Sequence, residues 1–303
     1  MMCDMRIVRL TIFLFVCADL FPQSNSPKSM PEDVAIFVVL RDGATFSVDP
    51  VVIVHYGPDQ RFKTIPALNS PLPSRDWTEA DFDKFEAAFY KPATQLSMFY
   101  GGQKVGTATV LSSNLDGRDG GCIDLSATVS SSTSATALLA ASTKSEIPGH
   151  VSTRRAGTPM EISTLRQLAV QRLAEEGLDK QLIQHGRMRQ VISAELRHGV
   201  GRAIVGRFDV ASKRAIYQLF VVAERDGRQY RLTLANLVVQ RDLEDGTDKA
   251  ERDYVDQLDI DGDGQDELIT KTAHYESWGY DVWKFYVGHH LWSHKYSALV
   301  SGC

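Results

Sequence analysis

The densest run of metal-seeking oxygen in this sequence is Asp259-Ile-Asp-Gly-Asp-Gly-Gln-Asp-Glu267. Carboxylates at every second position repel one another unless a cation sits among them. Calcium is a hard cation that takes about six to eight oxygens, which a tight turn supplies from alternate side chains. The spacing therefore makes Asp259, Asp261, Asp263 and Glu267 side-chain ligands, with the carbonyl of Gln265 as a fifth donor. Gly262 and Gly264 permit the sharp backbone turn. Asp266 points outward in this reading, and Leu268 opens a strand that anchors the loop. The plain alternative is a solvated acidic turn with no ion.

An EF-hand needs Glu at the twelfth position and flanking helices. The twelfth position here is Thr270, and the flanks read as strand, so that motif is excluded. The run instead resembles the calcium loop of FG-GAP repeats, the blade-forming units of integrin α chains and of many exported bacterial proteins. Asp259, Asp261, Asp263, Gly264 and Leu268 match that pattern, and Glu267 stands where Asp is usual. The resemblance implies a calcium site at a strand entrance and brings no catalytic activity with it. Tyr275-Glu-Ser-Trp-Gly-Tyr280 also resembles exported bacterial proteins that carry such loops. FG-GAP units come in series, and Glu195 to Val205 overlays Asp259 to Ile269 at a spacing of 64 residues. Arg197 and Gly199 replace Asp261 and Asp263 there, so this faded copy cannot hold calcium. Chance resemblance of two β segments is the alternative.

Other chemistry is weaker. His274, Glu276, His289, His290 and His294 could form a transition-metal cluster, but the segment reads as a hairpin whose tip carries the histidines. No His-Glu-x-x-His, Gly-x-Ser-x-Gly or Gly-rich phosphate loop occurs, and no catalytic residues are assigned. The aromatic run from Tyr275 to Trp292 offers a sugar-stacking platform as one reading and a buried core as the plainer one. Trp283, Phe285 and Val287 alternate as a buried face, leaving Tyr280 and Tyr286 on the other, and Tyr275 and Trp278 are the candidate ligand-binding aromatics.

The elements that must position the loop are mostly strands. Val34–Leu40 and Val51–Val54 are β-branched runs bounded by turn residues, and Leu96–Val110 is a hairpin around Gly101-Gly102. Thr78 and Asp81 start a helix that buries Phe82, Phe85 and Phe89. Residues 126–145 start as a strand and become a Ser/Thr/Ala linker. A helix follows from Ser163 with Leu165, Leu168, Ala169 and Leu173 on one stripe, and a second covers Gln181–Leu196. Strands return at Ala203–Val205, Tyr217–Ala223, Tyr230–Gln240, Leu268–Thr272, Tyr280–Val287 and Trp292–Leu299. The fold class expected is α+β, mostly β. It has a β-rich N-terminal domain over 31–145, a linker with helices over 146–200, and a β-rich C-terminal domain with blade-like sheet over 201–303.

Residues 1–24 read as a signal peptide, with Arg6 and Arg9 ahead of the apolar run Leu10–Val16. The expected product is exported, periplasmic or secreted, without a membrane span. Export leaves Cys122 and Cys303, an even pair that an oxidising compartment would join. With 303 residues, 43% of them hydrophobic, the chain can bury ordinary cores, and a net charge of -5 argues against a nucleic-acid partner. The function expected is a non-enzymatic binding or structural module braced by calcium, with an unidentified protein or glycan ligand. The alternative is a carbohydrate-binding or hydrolytic protein working through Trp278.

Overall fold

The fold was read from a computed structural model describing residues 32–303, except 43–44, 57–60, 64–77, 117–121, 132–136, 143–146, 148–150, 152, 198, 242–250, 275–276 and 303. The expected signal peptide, Tyr275 and Cys303 lie outside the described residues. Mostly β is the fold class observed, with sheets that are antiparallel throughout. No described helix is long and apolar enough to cross a membrane.

The N-terminal strands are β1 (Glu32–Asp42), β2 (Thr45–Tyr56), β3 (Arg61–Lys63), β4 (Gln95–Tyr100) and β5 (Gln103–Ser113). After the short β6 (Ile123–Asp124) come β7 (Ala127–Ser131) and β8 (Leu139–Ala141). Their order is β1-β8-β4-β5-β7-β2-β3, and β1 also pairs with β2, so six strands close on themselves as a barrel. Closure removes the edges that an open sheet would expose. The β4–β5 turn puts Gly101 and Gly102 at φ 57° and 80°, the left-handed pair a two-residue hairpin demands. The strand expected at the start of 126–145 is β7, but the part expected as linker holds a second barrel strand, β8, whose side chains are all buried. Helix α1 (Glu79–Phe85) starts where Thr78 donates its N–H to Asp81 at 3.0 Å, and it buries Phe82 and Phe85. Phe89 is buried in the π-helical turn that follows.

Two meanders share one plan. The first runs β10 (Arg187–Ala194), β11 (Ala203–Ala211), β12 (Ala215–Asp226) and β13 (Gln229–Arg241), with β9 (Arg155–Ala156) on its edge. The second runs β14 (Glu251–Leu258), β15 (Glu267–Ala273), β16 (Ser277–Tyr286) and β17 (Leu291–Gly302), and takes up β6. Strand β14 begins and ends 64 residues after β10. Helix α2 (Pro159–Glu175) is capped by Thr158 and covers the first meander with Leu165, Ala169 and Leu173. It starts four residues earlier than expected from Ser163, because Thr158 and Glu161 form a capping box ahead of it.

The helix expected over Gln181–Leu196 is corrected: only α3 (Lys180–Gln184) is helical, and β10 follows. Gly186 ends it, and a Cβ there would lie 2.3 Å from the Phe208 ring, so the close approach of β11 requires glycine. Beyond it Ile192 pairs with Val205 in the β10–β11 ladder, and the Val191 carbonyl accepts from Gly157 N–H at 2.9 Å on the β9 side.

Alternation stacks these units. Ile269, Tyr280 and Val282 face the barrel core, while Leu268, Trp283 and Phe285 face Val205, Phe220 and Val222 of the first meander. Ile204, Phe208 and Leu219 point the opposite way, onto α2. The layers run barrel, second meander, first meander, helix. One ion pair fastens three of these parts. Asp256 is fully buried, accepts from Gly101 N–H of the barrel hairpin at 2.8 Å, and pairs with Arg154 at 2.5 Å. Arg154 lies over the rings of Tyr100 and Tyr254. Truncation would leave a buried guanidinium unpaired, so Asp256→Ala is expected to cost roughly 3–5 kcal/mol. Urea unfolding measures this, and a loss below about 1 kcal/mol would refute the clamp.

Candidate metal centre

The acidic loop joins β14 to β15, and positive φ at Gly262 (74°) and Gly264 (85°) folds it back on itself. Asp259 is buried, and its two carboxylate oxygens accept from Asp263 N–H at 3.1 Å and Gly264 N–H at 2.9 Å. These bonds fix the turn before any cation is considered. Glu267 is 1% exposed, and its Oε2 accepts from Ile260 N–H at 2.8 Å. Ile260 is itself buried in the barrel-side core, so the loop is pinned by an apolar side chain as well.

Ligand atoms of Asp259, Asp261 and Glu267 lie within 4.8 Å of one another, the one such convergence of His, Cys, Asp and Glu among the described residues. These three carboxylates could hold a metal ion. Asp261 Oδ1 is buried without a hydrogen-bond partner, and Glu267 Oε1, also buried, makes no hydrogen bond and has only an ionic contact with Lys284. Burial pushes Glu267 up to about 8, with the nearby Asp261 charge adding to the shift and Lys284 opposing it. Asp259 is raised as well, again chiefly by burial.

Asp263 stands outside that trio but shares a cation with it. Lys284 Nζ is 2.8 Å from Asp263 Oδ2 and 3.3 Å from Glu267 Oε1, and it bonds Asp261 Oδ2. The strand register explains its arrival: Leu268 pairs with Trp283, so the next step along both strands sets Glu267 beside Lys284. Burial works to lower the Lys284 pKa, but the Asp261 and Asp263 bonds outweigh it and raise it above the usual lysine range. Sequence reasoning missed this residue. The available signal was a lysine between Trp283 and Phe285 on a buried strand, where a charge needs a partner.

Asp266 is the other correction. It is 2% exposed, its carboxylate accepts from Gln257 Nε2 at 2.9 Å, and its N–H bonds the Leu196 carbonyl. Alternation within the loop ends at Gln265, whose backbone bridges to Arg197, and Asp266 is drawn inward by that pairing. The segment overlaid on the loop at a spacing of 64 therefore lies against it. Gln190 and Tyr254, also 64 apart, exchange two hydrogen bonds. Arg197, which stands where Asp261 stands, pairs with Glu224 at 2.9 Å and covers the Phe285 ring.

The remaining candidates are dispersed. His289 and His290 sit exposed in the turn before β17. His294 Nε2 faces both Ser297 Oγ at 2.8 Å and Asp281 Oδ1 at 3.3 Å, while Ser297 donates directly to Asp281. A serine hydrolase needs its imidazole between the two, one nitrogen to each, so this grouping does not form a relay. Trp278 is half-buried: its Nε1–H donates to buried Asp49 at 3.0 Å, and Lys271 covers its ring. Trp283 and Phe285 are core, whereas Val287 is 57% exposed and Tyr280 is buried with its hydroxyl on Asp49, opposite to the expected faces.

Without its ammonium the Asp261, Asp263 and Glu267 carboxyl groups would face one another unbridged. Lys284→Met is expected to lower the stability of the chelator-treated protein by about 1–3 kcal/mol. Adding Glu267→Gln should recover part of that loss by keeping the position neutral without the uptake of a proton, and strictly additive losses in urea unfolding would contradict the coupling. No protein-family model, curated protein or solved structure matches this chain.

Proposed function

We propose that the loop binds calcium, and that the ion braces the start of β15 in an exported, non-enzymatic binding or structural module. Asp259, Asp261, Asp263 and Glu267 would supply side-chain oxygens and Gln265 its carbonyl. The observation that carries this reading is the buried Asp261 Oδ1, which has no hydrogen-bond partner, beside Glu267 Oε1, which meets Lys284 only at 3.3 Å. Even with Glu267 protonated, Asp259, Asp261 and Asp263 against the single Lys284 ammonium leave a local excess of negative charge that a divalent cation offsets. An all-oxygen donor set favours calcium over zinc. When bound, the ion supplies charge and cross-linking. The protein holds the turn through Asp259, seats it through Ile260 and presents Glu267 from a strand end.

Calcium is expected to raise the melting temperature and EDTA to reverse the gain. A ligand at a hundredfold excess over its Kd stabilises by about 2.7 kcal/mol. Asp261→Ala should erase the response, and Lys284→Met should tighten calcium binding by removing a competing cation. A melting curve indifferent to calcium in the wild type sinks the proposal.

The same module would be closed by a Cys122–Cys303 disulfide. Ile123 pairs with Gly302 across β6 and β17, and the two cysteines are the next residues in sequence on either side. Non-reducing peptide mapping of the exported protein should recover a peptide joining them. Two thiols that both take up iodoacetamide in the unreduced protein would contradict the pairing.

A further inference from the structure

A cleft of about 760 Å³ opens between α2 and the β12–β13 hairpin, on the far side of the first meander from the acidic loop. Its walls carry Arg155, Arg202, Arg225 and Arg228, and Glu161 is the only carboxylate among its lining residues. That carboxylate is spent. Oε1 accepts from Arg155 at 2.8 Å and Ser193 at 2.9 Å, and Oε2 accepts from Arg155 at 2.7 Å and from Thr158 N–H at 2.8 Å. Arg155 forms a bidentate fork that neutralises Glu161, so the other three guanidiniums face the cleft without a carboxylate among its walls.

Those three are held in different ways. Arg202 is fixed from behind, both of its terminal nitrogens donating to the Thr153 carbonyl at 2.6 Å. Arg225 lies over the Tyr230 ring, 5.5 Å from its centre. The hairpin turn at Gly227, φ 63°, carries Arg228 beside them. Guanidiniums with unused donors recognise planar or tetrahedral oxyanions by paired hydrogen bonds. Gln167, Gln171 and Gln229 add neutral donors and acceptors, which suit hydroxyl groups. The volume fits a small ligand rather than a folded partner.

We propose that this cleft binds a small ligand carrying two or more oxyanion groups, carboxylate or phosphate, with Arg202, Arg225 and Arg228 as its charge-matching residues. The site is independent of the calcium loop.

Isothermal titration of protein stripped of metal and dialysed into chelator-free buffer at low ionic strength tests it with two probes, trigalacturonate for carboxylates on a sugar and inorganic tripolyphosphate for phosphates. The Arg225→Ala/Arg228→Ala double variant removes the two exposed members, whose side chains make no hydrogen bond within the cleft's walls that the fold needs. Binding of either probe, weakened on the order of tenfold or more in the double variant, supports the site, and the probe that binds identifies the oxyanion. Arg214→Ala, in the β11–β12 turn, should leave binding unchanged. Failure of both probes to bind the wild type overturns the proposal, as does equal affinity in the double variant or an equal loss in Arg214→Ala.

Discussion

The buried pair of Arg154 and Asp256 is the interaction on which the rest of the molecule depends. An ion pair removed from water is favourable only if its remaining donors and lone pairs are satisfied. Here one Asp256 oxygen takes Arg154 and the other takes the Gly101 N–H, while Arg154 also donates to the Val255 carbonyl. Burial pushes Asp256 up to about 6, and Arg154 and Gly101 pull against it. It is thus ionised at neutral pH, where the pair is intact. The barrel hairpin, the segment entering β9 and strand β14 all end on this carboxylate, so none can shift without uncovering a charge.

Three residues beyond that clamp the acidic loop begins, and its geometry inherits the clamp's rigidity. Asp259 closes the turn with two backbone bonds, and Gln257 ties the base of the loop to Asp266 and to the Glu195 carbonyl. The loop is braced from both meanders before Lys284 or a metal enters. Repulsion among Asp261, Asp263 and Glu267 remains, and one ammonium spread over three carboxylates relieves it only in part. Net Coulomb attraction for a second, doubly charged cation is therefore built into the position of the strands, not into a mobile segment.

How much of this was legible in the sequence follows the range of the interaction. The turn glycines, the Asp-x-Asp-x-Asp spacing, the capping residues Thr78 and Thr158 and the Gly101-Gly102 hairpin all act within a few residues, and pattern exposes them. Lys284 acts on Asp261 from 23 residues away, and its role appears only when the β15–β16 register is known. Asp266 turns inward for a partner, Leu196, on the other meander. Barrel closure through β1, and the strand at Arg187–Ala194, rest on pairings between distant segments, where tertiary packing overrides a local helical pattern. Strand β14 was hidden by its own charges, because its acidic and basic residues read as loop until Arg252, Asp253 and Asp256 find partners on other elements.

The faded repeat acquires a physical meaning from this arrangement. Two meanders offset by 64 residues place equivalent turns against each other, joined at Arg197 and Gln265 and again at Gln190 and Tyr254. At the acidic turn the carboxyl groups of Asp259, Asp261 and Glu267 converge, whereas Arg197 fills the equivalent position of the other turn with a guanidinium stacked on Phe285 and paired to Glu224. An internal cation thus does permanently in one turn what an exchangeable cation would do in the other. Glu267, at the strand entrance, is buried and bonded to Ile260 N–H, so loss of a metal held there would be met by a proton at the interface with the barrel instead of by release of a loop into solvent. Cation binding at such a position stabilises the packing of layers, and a large conformational response to it would require breaking the Ile260 and Asp256 anchors first.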